Sequence, residues 1–125
     1  MRHVAGIAVI DIVGDTVLGP ASEAMRRTLV DAFEGGNHNL VVNFSPAGRI
    51  DSAGIGELIN AYSTITRKGG AVKLVMPPKG LVHKALKLTG LTQLFDIAPD
   101  EDAALNGFSP QTAAQNKAKI EQFLG

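Results

Sequence analysis

The sequence predicts an α/β domain, a sheet with parallel strand pairs covered by helices. Three observations carry this. Short runs rich in Val, Ile and Leu recur at 4–13, 40–44 and 71–76, bounded by Gly, Pro, Asn or Asp. Between them lie stretches with apolar residues at helical spacing, most clearly Ile55, Leu58, Ile59, Tyr62 and Ile65. The two kinds alternate along the chain, the order that strand–helix–strand crossovers require. With 125 residues, 45% of them hydrophobic and 19% charged, the composition suits one domain with one core.

Taken in order, residues 4–13 read as one or two strands with a turn, bounded by Gly14-Asp15. Residues 15–18 continue the sheet until Gly19-Pro20 breaks it. Ser22 is the expected N-cap of a helix with Met25, Leu29, Ala32 and Phe33 on its inner face, and Gly35-Gly36 ends it. Residues 40–44 form a short apolar run, read as a central strand. A loop follows, then the helix that begins near Ser52 and stops at Gly69-Gly70. Residues 71–76 are the next strand. Pro77-Pro78 turns into a helix whose core face is Leu81, Val82, Ala85 and Leu86, ended by Thr89-Gly90. Residues 94–97 are read as a short last strand and 99–105 as the last helix of the domain. In the tail, Ser109-Pro110 caps a further helix, and Ile120, Phe123 and Leu124 give it a small apolar patch. Three readings of that tail stand: a helix packed on the domain, a partner-binding arm, or a loose extension.

The composition excludes several functions. Lys plus Arg and Asp plus Glu both number 12, so the formal net charge is zero. A nucleic-acid binder carries a basic surplus, and none exists here. Without cysteine there are no disulfides, thiolate metal sites or cysteine nucleophiles. His3, His38 and His83 are scattered, so they read as surface residues and no metal site is expected. The glycine-flanked serine elbow, the Walker A loop and the dinucleotide fingerprint are all missing, and no cofactor is expected. No stretch approaches the roughly 18 apolar residues of a membrane span. A soluble, cytoplasmic protein is the expectation.

One segment stands out: Asp51-Ser52-Ala53-Gly54-Ile55-Gly56 at the start of the best-patterned helix. Two readings of Ser52 stand side by side. Serine is among the best N-cap residues, and Asp51 next to it is a favourable charge at a positive helix end. Alternatively, the hydroxyl accepts a phosphate, which helix N-terminal amides and the helix dipole stabilise. The Gly54-Ile55-Gly56 pair reads first as close helix–sheet packing.

The segment Leu40-Val41-Val42-Asn43-Phe44, with Arg49-Ile50-Asp51-Ser52-Ala53-Gly54-Ile55-Gly56-Glu57-Leu58, resembles the signature of the STAS domain. In particular it resembles bacterial anti-sigma factor antagonists. Lys68-Gly69-Gly70-Ala71-Val72-Lys73-Leu74-Val75 and Leu86-Lys87-Leu88-Thr89-Gly90-Leu91-Thr92-Gln93-Leu94-Phe95 agree with it. The resemblance implies a four- or five-stranded mixed sheet with helices packed mainly on one face. Residues 1–107 are then the STAS domain and 108–125 a C-terminal helical extension. It also implies partner switching. The unphosphorylated protein binds an anti-sigma factor that is a serine kinase, is released when that kinase phosphorylates Ser52, and is restored by a serine phosphatase. The protein is then a regulator of sigma-factor-dependent transcription and not an enzyme. Asp51 shapes the acceptor turn and contacts the kinase, and Gly54 and Gly56 keep the turn small. Ala53, Glu57, Asn60, Ala61 and Arg49 border the interface.

The chain departs from the pattern at two places within the domain, and its tail beyond Leu105 is longer than the minimal domain requires. Leu18 stands near a position where the family carries Asp, with Asp15 the nearest acid, and strand 40–44 ends Asn43-Phe44 where the family has Asp before the last apolar residue. Two rivals follow. One is a STAS scaffold without phospho-control, or a subunit of a signalling or lipid-transport complex. The other is an enzyme or nucleotide-binding protein using Asp51, Ser52 and the glycines, which lacks a base, a metal site and a phosphate-grasping lysine at motif spacing.

Overall fold

The computed structural model describes residues 1–14 and 18–124. Strand β1 (Arg2–Val4) turns at Ala5 and Gly6 into β2 (Ile7–Asp11). Both turn residues have positive φ, 52° and 79°, the geometry that matches a two-residue hairpin to the strand twist. The first strand pair therefore begins at Arg2, ahead of the expected run. Helix α1 (Ala21–Glu34), β3 (Asn39–Asn43), α2 (Ser52–Arg67), β4 (Ala71–Val75), α3 (Leu81–Leu88), β5 (Ile97–Ala98), α4 (Glu101–Asn106) and α5 (Thr112–Leu124) follow.

The described strands form one sheet in the order β1-β2-β3-β4-β5, with β1 antiparallel to β2 and all other pairs parallel. Each parallel crossover steps to the next strand in the same direction. Right-handed crossovers then place their helices on one face. On that face Ala8, Ile10, Leu40, Val42, Val72 and Leu74 meet Leu29, Leu58, Tyr62, Ile65 and Leu86 in a single cluster. The alternate strand residues Ile7, Val9, Val41 and Val75 point the other way and meet Ala104 of α4, with Phe108 packed alongside. The result is a mixed five-stranded α/β sheet with its helices mainly on one side.

Several expectations change in detail. Ser22 does not cap α1: Pro20 does, with a φ of −61° already set for helix. Ser22 lies inside the first turn, 2% exposed, and donates its hydroxyl to the Gly19 carbonyl at 2.6 Å. Leu81 is 60% exposed, so the inner face of α3 is Val82 and Leu86 with Ala85 beside them. The last strand is Ile97–Ala98, not 94–97. Leu94 and Phe95 are buried in a turn before it, because the register Leu74↔Ile97 sets where pairing begins. Of the expected sheet continuation at 15–18, residues 15–17 lie outside the described part of the chain, and Leu18 sits in a bend.

The tail packs as a helix on α2 and β4. Ile120 is fully buried in the main cluster, whereas Phe123 and Leu124 stay about half exposed. The shortness of β5 explains one of its polar residues. Along the outer edge of β4 the amides of Leu74 and Met76 donate to the carbonyls of Asp96 and Ala98. One step earlier on the same edge, the Val72 amide donates to Asn116 Oδ1 of α5 at 2.8 Å. Asn116 Nδ2 reaches Asp96 Oδ2 at 3.3 Å, and the same oxygen accepts from Lys73 Nζ at 2.9 Å. A side chain thus completes a ladder where the strand has run out.

Candidate functional site

The ends of β2 and β3 deliver two loops to the same place. Gly14 forms a parallel bridge with Ala47, and the Ile12 amide donates to the Asn43 carbonyl at 2.9 Å. One loop leads into α1 and the other into α2, so the N-terminal ends of both helices meet at one end of the sheet.

Asp51 joins them. It is extended, with φ −104° and ψ −178°, which suits an N-cap. Its Oδ1 accepts from the Gly54 amide at 2.8 Å, and its Oδ2 accepts from the Gly19 amide at 2.9 Å. Those two hydrogen bonds, Gly54 first, hold the carboxyl below the ordinary carboxylate pKa. A depressed folded pKa adds stability above the unfolded pKa, and that stability is lost as pH falls through the folded value. Asp51→Ala is therefore expected to lower the melting temperature by a few degrees at neutral pH. The difference from wild type should shrink and vanish as pH drops through the carboxylate range. A thermal melt series against pH measures it.

With Asp51 as cap, Ser52 is the first residue of α2, exposed, and its hydroxyl makes no hydrogen bond among the described residues. Beyond it runs a shallow groove of about 460 Å³ between α1 and α2. Ala53, Gly56, Glu57 and Asn60 line one wall, and Gly19, Pro20, Ser22, Glu23 and Arg26 the other. Arg26 Nε meets Glu57 Oε2 at 2.9 Å across the floor, fixing the spacing of the two helices.

The predicted site residues thus fall in different places. Asp51 and Ser52 stand at the helix end, and Ala53, Gly56, Glu57 and Asn60 share the groove. Gly54 is buried, and Arg49 is exposed on the approaching loop, outside the groove lining. Ala61 is wholly buried and borders no interface: it sits between Leu58 and Ile65 on the inner stripe. The α1 wall was missed, because its residues lie about thirty positions upstream; only Gly19-Pro20 before a helical pattern marks it in the sequence. Among the described residues Gly56 does not serve packing, since a Cβ there would meet nothing within 4 Å. Among the described residues no cluster of three His, Cys, Asp or Glu could hold a metal, and no helix is long and apolar enough to cross a membrane.

Comparison with known proteins bears on the family and the fold. The chain is 29% identical over 108 residues to an anti-sigma F factor antagonist of Paenibacillus polymyxa, covering 84% of this chain and 89% of the relative. Its fold is similar to the crystal structure of an anti-sigma factor antagonist from Mycobacterium paratuberculosis, with TM-score 0.70, 20% identity and coverage of 84% and 87%. A sulfate transporter family protein from Wolinella succinogenes also shares it, with TM-score 0.65, 16% identity and coverage of 97% and 93%. The STAS domain family's sequence model matches residues 1–104, and the chain belongs to the STAS domain family.

Proposed function

We propose that this STAS domain is an anti-sigma factor antagonist that works by partner switching. It binds an anti-sigma serine kinase through the α1–α2 groove while Ser52 is unmodified, and it leaves when Ser52 carries a phosphate. A serine phosphatase resets it. The protein acts in the cytoplasm as a binding partner and substrate, with no catalysis of its own. The observation that carries this reading is the division of labour at the head of α2. Asp51 takes the capping role that Ser52 was equally suited to, which leaves the Ser52 hydroxyl exposed and unengaged among the described residues. The relationship to the Paenibacillus polymyxa antagonist points the same way.

The wall composition fits a protein partner. Gly56 is exposed inside a helix, where glycine costs about 0.5–1 kcal/mol relative to Ala. Among the described residues, a Cβ at this position would meet nothing within 4 Å. Gly56→Ala is expected to raise stability by that amount and to weaken partner binding by about tenfold, as the added methyl holds the partner off the groove. Paired denaturation and titration experiments read the two effects separately; a variant that gains stability and binds as well as wild type removes Gly56 from the interface.

The function itself is tested by incubating the protein with ATP and a candidate anti-sigma kinase and mapping the phosphosite. Phosphate on Ser52, with loss of the complex, is the expected result. A stable complex that never labels Ser52 favours a STAS scaffold without phospho-control.

A further inference from the structure

Two polar side chains outside the groove hold the loop that leads into the acceptor turn. Asn43 ends β3 and is 9% exposed. Its Nδ2 donates to Asp11 Oδ1 at 2.9 Å, while its Oδ1 accepts from the Ser45 amide at 3.0 Å. Asp11 ends β2 and is gripped from β1 by Arg2, Nε to Oδ2 and Nη2 to Oδ1, both at 2.9 Å. Arg2 also reaches Glu101 at the start of α4, at 2.6 and 3.2 Å. A polar line therefore runs from α4 through β1 and β2 to residues 44–50, the segment that carries Arg49 and Ile50 into Asp51 and Ser52.

Position 43 needs both a donor and an acceptor. It must donate to a carboxylate on one side and accept an amide proton on the other. An amide side chain has that pair; Asp has only acceptors when ionised, and Leu has neither. The grip of Arg2 first, and of Asn43 after it, depresses the Asp11 pKa and keeps the acceptor charged.

We propose that Asn43 and Asp11 are positioning residues for Ser52: they fix the 44–50 loop and so set where the acceptor turn presents its hydroxyl. The functional half rests on Ser52 being the acceptor, while the structural half concerns the loop alone.

The test uses the full chain in three forms: wild type, Asn43→Asp, and the swap Asp11→Asn with Asn43→Asp. In Asn43→Asp two carboxylates face each other between Arg2 and Glu101, so one of them keeps its proton to a higher pH than Asp11 does in wild type. The Ser45 and Ala47 amide resonances should then titrate in that higher range, which they do not do in wild type. Hydrogen-exchange protection of the Ser45 and Ala47 amides should fall about tenfold at neutral pH and recover on acidification. The swap again places one amide opposite one carboxylate; an amide at 11 can accept only one of the two Arg2 hydrogen bonds, so protection should recover most, not all, of the loss.

With a serine kinase that labels wild-type Ser52, kcat/KM should follow the same order, about tenfold down in the single variant and mostly recovered in the swap. Unchanged protection in Asn43→Asp, or a swap no better than the single variant, overturns the loop assignment. Restored protection without restored kcat/KM overturns the functional half. Wild type that takes no phosphate on Ser52 overturns the acceptor reading and that half with it, and the exchange data decide the loop assignment separately.

Discussion

A chain ending at residue 107 is expected to lose about 4–6 kcal/mol of stability, a large share of the roughly 5–15 kcal/mol typical of a domain. Two contacts account for most of the loss. Ile120 is 0% exposed in the main cluster, and burying such a side chain contributes about 2–3 kcal/mol. Removing Asn116 leaves the buried Val72 amide without its acceptor, at a cost of about 1–3 kcal/mol, and takes a donor from Asp96. Ile120→Ala alone should cost about 2–4 kcal/mol through the cavity it opens. Urea unfolding followed by circular dichroism measures both. We propose on these grounds that residues 1–107 and the 108–125 extension unfold as one cooperative unit; a truncated chain with the full-length midpoint would show instead that the extension is an appendage.

Replacing Ser52 with Asp is expected to weaken binding of an anti-sigma kinase by about a hundredfold or more, with the melting temperature within about two degrees of wild type. The binding loss comes from charge placed on a surface fitted to a neutral hydroxyl. A close mismatch costs a few kcal/mol, and each ~1.4 kcal/mol is tenfold. A phosphate, at about −1.5 to −2, does the same more strongly. The fold tolerates the charge because Ser52 is exposed at the positive end of α2, which offsets repulsion from Asp51. Ser52→Ala should bind like wild type. Calorimetric titration of the three proteins against one partner decides it, and equal affinities would end the switch reading.

Much of this was legible in the sequence, for a physical reason. Where one face of an element packs on the sheet, its apolar period is visible, as in the stripe Leu58, Tyr62 and Ile65 of α2. What stayed hidden depended on partners distant in sequence. Asn116 and Thr112 are polar and carry no apolar period, yet both are 2% exposed or less; Asn116 is drawn in because the short β5 leaves a ladder for α5 to finish. Leu94 and Phe95 have strand-like composition and serve in a turn, since pairing with β4 chooses the strand. At the site, Asp51, Ser52, Ala53, Gly56, Glu57 and Asn60 are local to one helix end and could be named together. The opposite wall, with Gly19 and Arg26, comes from a helix whose approach no local pattern encodes. The choice between Ser52 and Asp51 as cap was likewise undetermined by composition, because both side chains suit the role; the extended backbone of Asp51 and the reach of its two oxygens decided it.

The Asn116 hydrogen bond to β4 bears on how the protein behaves at high concentration. A sheet edge with unpaired amides is a template for a strand from another molecule. With a formal net charge of zero, copies of this chain repel one another only weakly, so little long-range force keeps such edges apart. At the other edge, β1 is only three residues long and carries Arg2, itself a guard against strand addition. On the β4 side, β5 pairs Leu74 and Met76, and Asn116 of α5 closes the Val72 amide that β5 does not reach. That closing residue lies beyond the STAS match, which ends at 104.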